Sequence, residues 1–150
     1  MNALQKTYLT VAVALTLAVT ATPIGTQALE RFTFHMIQHI TLLMLVGSLL
    51  VLATTDSLRA KLNKNRVFRA ATYPWISFFL YAAMMIGVHL SGPHLFIMEN
   101  QWAHHYLEVP AYLIIPYLFY FNLIDPNLTN RRVSPAMSVI NLFLMMVPET

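Results

Sequence analysis

The sequence has 150 residues, of which 57% are hydrophobic and only 10% charged, whereas a soluble domain averages about 25% charged residues. This composition excludes a disordered chain and argues against a water-soluble globule. The absence of cysteine excludes disulfides, zinc–thiolate sites, iron–sulfur clusters and thiol nucleophiles.

Five apolar stretches follow one another along the chain, each close to the ~20 residues that a helix needs to cross a bilayer. In lipid the backbone must satisfy its own hydrogen bonds, so each stretch is expected to be helical. We therefore predict an all-α, polytopic transmembrane helical bundle that forms a single domain over residues 1–150. The predicted helices cover residues 8–26, 32–55, 73–91, 103–124 and 133–148. The first stretch also has features of a secretory signal peptide, but we favour a retained helix.

The basic residues predict the orientation of this bundle, because Lys and Arg concentrate in cytoplasmic loops. With five alternating helices, Lys6, the five basic residues of the 56–72 loop, Arg131 and Arg132 all fall on one side, and only Arg31 falls on the other. We therefore predict a plasma-membrane protein with a cytoplasmic N-terminus. A nucleic-acid patch in the 56–72 loop is a possible alternative that the net charge of +3 permits, but topology explains the same residues better.

The histidines provide the strongest functional indication, because all six fall on the predicted outer side, although the topology came from Lys and Arg alone. His35 and His39 are four residues apart and share one helix face, a spacing that lets two imidazoles bind one metal. His105 and Glu108 are three residues apart and are also predicted to share a face. Polar side chains at membrane depth usually face the interior of a bundle.

We predict a metal site on the predicted outer side of the membrane, in the interior of the helical bundle. Its expected members are His35, His39, His89, His105 and Glu108, with His94, His104, Met36 and Met98 as additional candidates. Imidazole serves zinc, copper, nickel and iron, and the nearby thioethers make copper the first choice and zinc the second. We expect His105 to bind the metal, and Glu108 and Gln38 to orient the ligating histidines. The alternative for each single histidine is an interfacial hydrogen-bonding role, and the aromatic run from Tyr112 to Phe121 is expected to face lipid.

The segment His35-Met36-Ile37-Gln38-His39 resembles the opening of a helix in the CtaG family of cytochrome c oxidase assembly factors. Val88-His89-Leu90 and His105-x-x-Glu108 follow in the same order and at similar spacing, so the resemblance covers roughly residues 32–124. Departures from the family pattern include Val109, which stands where the family usually has a histidine. The chain is also shorter than members with seven spans.

The resemblance implies a membrane protein that helps to put copper into a haem–copper oxidase on the outer side of the membrane, and it suggests the same five site residues. No nucleophile–base pair, phosphate loop or dinucleotide fingerprint occurs, so we predict that the protein is not an enzyme. Its predicted partners are the lipid bilayer and a copper-containing membrane oxidase or monooxygenase, and not nucleic acid. The alternatives are an accessory subunit of such a complex or, less favoured, a heme b subunit with His39 and His105 as axial ligands.

Overall fold

A computed structural model describes residues 1–125 of the chain, and every regular element in this part is a helix, which confirms the all-α prediction. The predicted fifth helix, residues 133–148, lies outside the described residues, as do Arg131 and Arg132. The helices are α1 (Ala3–Thr20), α2 (Pro23–Thr26), α3 (Phe32–Ala53), α4 (Asp56–Lys64), α5 (Arg66–Ala71), α6 (Pro74–His89), α7 (Ser91–Glu99) and α8 (Gln101–Ile124).

Three of these helices, α1, α3 and α8, are long and apolar enough to cross a membrane. They correspond to the predicted helices 8–26, 32–55 and 103–124. The predicted third helix, residues 73–91, ends earlier, at His89, and the chain turns by 71° into α7. Leu90 has an extended backbone at this break (φ −67°, ψ 139°). One α-helix could not run through both His89 and Pro93, because the proline ring would clash with the His89 carbonyl, whereas Pro93 is tolerated in the first turn of α7.

The helices alternate in direction and give the bundle two chemically different ends. At one end, which we call the basic end, the start of α1 meets the end of α3, where Gln5 Nε2 donates to the Thr54 carbonyl at 3.4 Å. At the other end, which we call the histidine end, Gln38 Nε2 of α3 donates to the Val19 carbonyl of α1 at 2.9 Å. The loop that carries most of the basic residues and the cluster of histidines therefore lie at opposite ends of the bundle.

The core forms where α3 packs against α1 and α8, and where α8 packs against α6. Its largest fully buried apolar side chains include Leu42, Leu43, Met85 and Phe119. The backbones of α3 and α8 approach closely at Gly47, where an added Cβ would lie 2.7 Å from the Cβ of Pro116. Small residues allow such approaches between apolar helices, whose association depends on van der Waals packing.

The aromatic run of α8 does not face outward, so the expectation of a lipid-facing surface is wrong. Tyr112, Phe119 and Phe121 are at most 1% exposed. Phe119 stacks on Tyr81 of α6 with ring centroids 5.2 Å apart. The reason is the position of α8, which packs against both α3 and α6 and therefore has little free surface for lipid.

A buried ion pair joins the helices at the basic end. Arg59 of α4 donates to the carboxylate of Asp125 at 3.2 Å, and both side chains are almost completely buried. Asn63 donates to the second carboxylate oxygen at 3.1 Å. Arg59 also donates to the carbonyls of Val51 and Thr54 at the C-terminal end of α3. The 56–72 loop is thus anchored to the end of α8.

Candidate metal centre

Two π-helical segments lie close to the histidines in the sequence. The helix α3 contains a π-helical segment at Thr41–Val46, and α8 contains one at His104–Glu108. In such a segment the backbone bonds from residue i to i+5, which adds about one residue to the turn, and single π-turns occur frequently at functional sites. The first segment begins two residues after His39, and the second contains three of the predicted or candidate site residues.

His35 and His39 open α3 on the face that packs into the bundle. Their side chains are 2% and 1% exposed, and their ring centroids are 4.0 Å apart. Glu108 reaches toward them from α8, and its Oε1 atom lies 3.5 Å from Nε2 of His39. One potential ligand atom from each of His35, His39 and Glu108 lies within 4.8 Å of the others. The structure thus brings together three of the five residues that the sequence predicted for the site.

The polar atoms of this cluster are incompletely satisfied. Nδ1 of His35, both ring nitrogens of His39 and Oε2 of Glu108 are buried without a hydrogen-bond partner. Most buried polar atoms in proteins do have a partner, because an unpaired one costs several kcal/mol of desolvation. Imidazole nitrogens and carboxylate oxygens that offer unshared lone pairs and converge from two helices are what a cation-binding site provides, so the residues fit a bound metal ion.

Tyr112 is a member of the site that the sequence analysis missed. Its hydroxyl donates to Oε1 of Glu108 at 2.8 Å, and its ring meets the ring of His39 edge-on with centroids 4.3 Å apart. The spacing of four residues from Glu108 on one helix could have indicated this contact. Tyr112 therefore fixes the carboxylate through Oε1 and leaves Oε2 without a hydrogen-bond partner.

His104 connects the carboxylate to the neighbouring helices. Its Nε2 donates to Oε1 of Gln38 at 2.8 Å and lies 3.6 Å from Oε2 of Glu108. Gln38 in turn donates to the Val19 carbonyl. Gln38 was expected to orient His39, but its hydrogen bonds run to His104 and to α1. His104 is completely buried and contacts both Gln38 of α3 and Glu108 of its own helix.

His105 does not share a face with Glu108, contrary to the expectation. Its Nδ1 hydrogen-bonds to the Gln101 carbonyl of its own helix at 3.0 Å, and the side chain is only half-buried beside Trp102 and Tyr106. The physical reason is the π-turn, since the wider turn aligns residues four apart and rotates residues three apart away from each other. The pair His104 and Glu108 consequently replaces the predicted pair His105 and Glu108.

The remaining candidates are outside the converging set of His35, His39 and Glu108. His89 is exposed at the end of α6, where its Nδ1 hydrogen-bonds to the Met85 carbonyl at 2.6 Å and its ring centroid is 5.8 Å from that of His39. His94 of α7 is half-buried, with its ring centroid 5.9 Å from that of His35. Met36 and Met98 are half-buried too. His89 and His94 thus border the cluster, and none of these four residues is among the three whose ligand atoms converge.

Within residues 1–125, the fold and this site define a helical bundle with three or four helices of membrane-spanning length and a buried His–His–Glu cluster at one end. The chain matches the family model of the cytochrome c oxidase caa3 assembly factor (Caa3_CtaG) over residues 3–150, and it therefore belongs to that family. This match confirms the resemblance drawn from residues 32–124. Comparisons with curated proteins and with solved structures found no match.

Proposed function

We propose that this chain is an integral membrane protein that binds copper and supplies it during assembly of a membrane oxidase. The family is one of cytochrome c oxidase assembly factors. The observation that carries the proposal is the convergence of His35, His39 and Glu108, whose unpaired buried atoms come from two separate helices. The role is delivery of a metal ion to another protein, so no bond of a substrate needs to be broken and we propose no catalytic activity.

The metal would be held by His35, His39 and Glu108. Two imidazoles and a carboxylate form a nitrogen–oxygen donor set, which suits Cu(II) and Zn(II) better than Cu(I), an ion that prefers sulfur. Copper remains the first choice because the family serves a cytochrome c oxidase, and zinc is the second. Tyr112 and His104 act as positioning residues that hold the carboxylate against the two imidazoles.

A heme b site has less support than a metal-ion site. The proposed axial pair was His39 with His105, and His105 is hydrogen-bonded to a carbonyl of its own helix. His39 is enclosed by the rings of His35 and Tyr112, at centroid distances of 4.0 and 4.3 Å. A porphyrin would have to displace these side chains to reach the imidazole.

We further propose that the N-terminus and the basic end face the cytoplasm and that the histidine end faces outward. Because the chain has no cysteine, single cysteines can report this orientation. Ser57 and Ser91 are exposed at opposite ends of the bundle and make a matched pair of nearly isosteric Ser→Cys variants. In intact cells an impermeant thiol reagent should label Ser91→Cys and spare Ser57→Cys. The reverse pattern would place the histidines in the cytoplasm and contradict the proposed orientation.

The function can be tested in cells that carry a copper-containing oxidase and lack their own copy of this protein. We expect the unaltered chain to restore oxidase activity and the His35→Ala/His39→Ala variant to fail at equal expression. Added copper should rescue that variant in part, because it bypasses supply. His105→Ala is the matched control and should restore activity. Full complementation by the double variant would contradict a role for the cluster, and stoichiometric co-purification with the mature oxidase would favour an accessory subunit.

A further inference from the structure

The candidate metal cluster is buried, so an ion has to pass between other side chains to reach it or to leave it. His35, His39 and Glu108 are at most 3% exposed. A protein that supplies a metal ion must both take the ion up and give it away. The residues between the cluster and the surface therefore determine how fast the ion exchanges.

Two sides of the cluster are closed by the described part of the chain. The completely buried ring of Tyr112 lies against His39, with centroids 4.3 Å apart, and shields the cluster from the middle of the bundle. On the side of α1, His104 donates to Gln38, and Gln38 donates to the Val19 carbonyl. An ion that left on this side would have to break both of these buried hydrogen bonds.

The corner between α6 and α7 is a more open side. Residues 90–93 form this corner and are all exposed. An added Cβ at Gly92 would meet no atom within 4 Å, so the corner is loosely packed. His89 precedes the corner and is exposed, whereas His94 follows it and is half-buried. One histidine therefore lies on each side of the corner.

Each of these two histidines contacts a different imidazole of the buried pair. The ring centroid of His89 is 5.8 Å from that of His39, and both rings meet edge-on. The ring of His94 meets that of His35 in the same way at 5.9 Å. Because a metal ion lies about 2 Å from each ligand nitrogen, rings with centroids less than ~6 Å apart can bind one ion in turn. The four rings thus form a continuous series that begins and ends at the corner.

His89 also has the hydrogen bonding of a metal ligand. Its Nδ1 donates to the Met85 carbonyl at 2.6 Å, so the neutral ring carries its lone pair on Nε2. Histidines that bind metals usually donate their other ring nitrogen in this way. His105 makes the same kind of bond to the Gln101 carbonyl, but the ring beside it is His104, on a closed side of the cluster. His105 is therefore a matched control for His89.

Granted the proposed copper-carrying function, we propose that the ion enters and leaves the cluster at the α6–α7 corner and that His89 and His94 bind it in transit. His89 exchanges the ion with His39, and His94 exchanges it with His35. Neither remains a ligand once the ion rests in the cluster. Interactions made only at the barrier change rates and not the equilibrium. The two histidines therefore speed uptake and release by the same factor.

The rate of copper release tests this proposal separately from copper affinity. The purified full chain is loaded with Cu(II) and mixed with EDTA, at increasing concentrations until the release rate no longer depends on EDTA. A competitive titration with nitrilotriacetate gives the dissociation constant. His89→Gln/His94→Gln removes both imidazoles and keeps polar side chains of similar length at the corner. Circular dichroism establishes that the variants remain folded.

We expect the double glutamine variant to release copper about tenfold more slowly or slower still, since each tenfold corresponds to ~1.4 kcal/mol of barrier. Its dissociation constant should stay that of the unaltered chain, so its uptake is slowed by the same factor. His105→Gln makes the same substitution on the closed side and should keep both the release rate and the dissociation constant.

Several outcomes would overturn the proposal. An unchanged release rate in the double variant, or equal slowing in His105→Gln, would place the route elsewhere. Faster release would mean that the two histidines only cover the cluster, and a weaker equilibrium affinity would make them permanent ligands. If the unaltered chain bound no copper, the proposed function would fail together with this route. Normal copper binding with an unchanged release rate in the double variant would remove the route alone.

Discussion

Nε2 of His104 lies 3.6 Å from Oε2 of Glu108, across one π-helical turn of α8. The same nitrogen donates to Gln38 on α3, so His104 links the carboxylate of the cluster to the helix that carries His35 and His39. His105, the next residue, is turned toward a carbonyl of its own helix. Two adjacent histidines therefore have different surroundings, and this difference leads to the first prediction.

His104→Ala should weaken copper binding by about 10–100-fold, as is usual when a group that orients a ligand is lost. His105→Ala should change it by less than about threefold, a difference that a copper titration of the two purified variants will measure. His104→Asn keeps a donor that can reach Gln38 and should recover part of the affinity. If His105→Ala caused the larger loss, the assignment of His104 to the site would be wrong.

Tyr112→Phe should also weaken metal binding, because it removes the hydrogen bond that holds Glu108 and leaves Oε1 unpaired. A buried hydrogen bond to a charged group contributes roughly 1.5–3 kcal/mol, so we expect a loss of about tenfold or more in copper affinity. Tyr106→Phe is the matched control, since Tyr106 is 76% exposed on the same helix. Equal affinities of the two variants would show that Tyr112 does not position the carboxylate.

Gly47→Ala should destabilise the bundle, because the added Cβ would meet Pro116 at 2.7 Å, where α3 and α8 pack backbone to backbone. Overpacking of this kind costs about 1–3 kcal/mol. Gly87→Ala is a control of identical chemistry, because nothing lies within 4 Å of its added Cβ. Unfolding of both variants in detergent micelles gives the comparison. An equal stability of the two would contradict the close approach of these helices.

Arg59→Met should lower the free energy of unfolding by about 3–5 kcal/mol, the usual cost of leaving one partner of a buried ion pair without the other. The double variant Arg59→Met/Asp125→Asn should be more stable than the sum of the two single losses predicts. Lys61→Met removes an exposed charge from the same helix and should have little effect. Strict additivity of the single variants, measured by unfolding in detergent, would mean that the two side chains do not interact.

Within residues 1–125, the sequence was sufficient to predict the helices of membrane-spanning length and the proximity of some of the candidate site residues. Apolar runs of membrane-spanning length gave α1, α3 and α8 to within a few residues, except that the first helix began five residues earlier and ended before Pro23. The spacing of four between His35 and His39 placed both on one buried face, since α3 is regular at that point. Residue spacing of this kind predicts a shared helix face correctly only where the helix is a regular α-helix.

The errors arose where the backbone departs from a regular α-helix, or where the packing of neighbouring helices determines which side chains are buried. The π-turn at His104–Glu108 changes which histidine faces Glu108, and periodicity assumes an α-helix. The burial of Tyr112 and Phe121 depends on α8 lying between α3 and α6, which composition cannot reveal. The bend after His89, at the extended backbone of Leu90, has a signal in the sequence, because Pro93 cannot continue an α-helix that contains His89.

The most direct test of the account is the metal content of the purified full chain after it has been offered equal copper and zinc. We predict close to one copper ion per chain in the unaltered protein and in His105→Ala, and loss of this copper in His35→Ala/His39→Ala with unchanged helical content. Glu108→Gln should lose it as well, because the carboxylate contributes a converging ligand atom. Unchanged copper content in the double histidine variant would contradict the central claim, and selective retention of zinc would contradict the choice of metal.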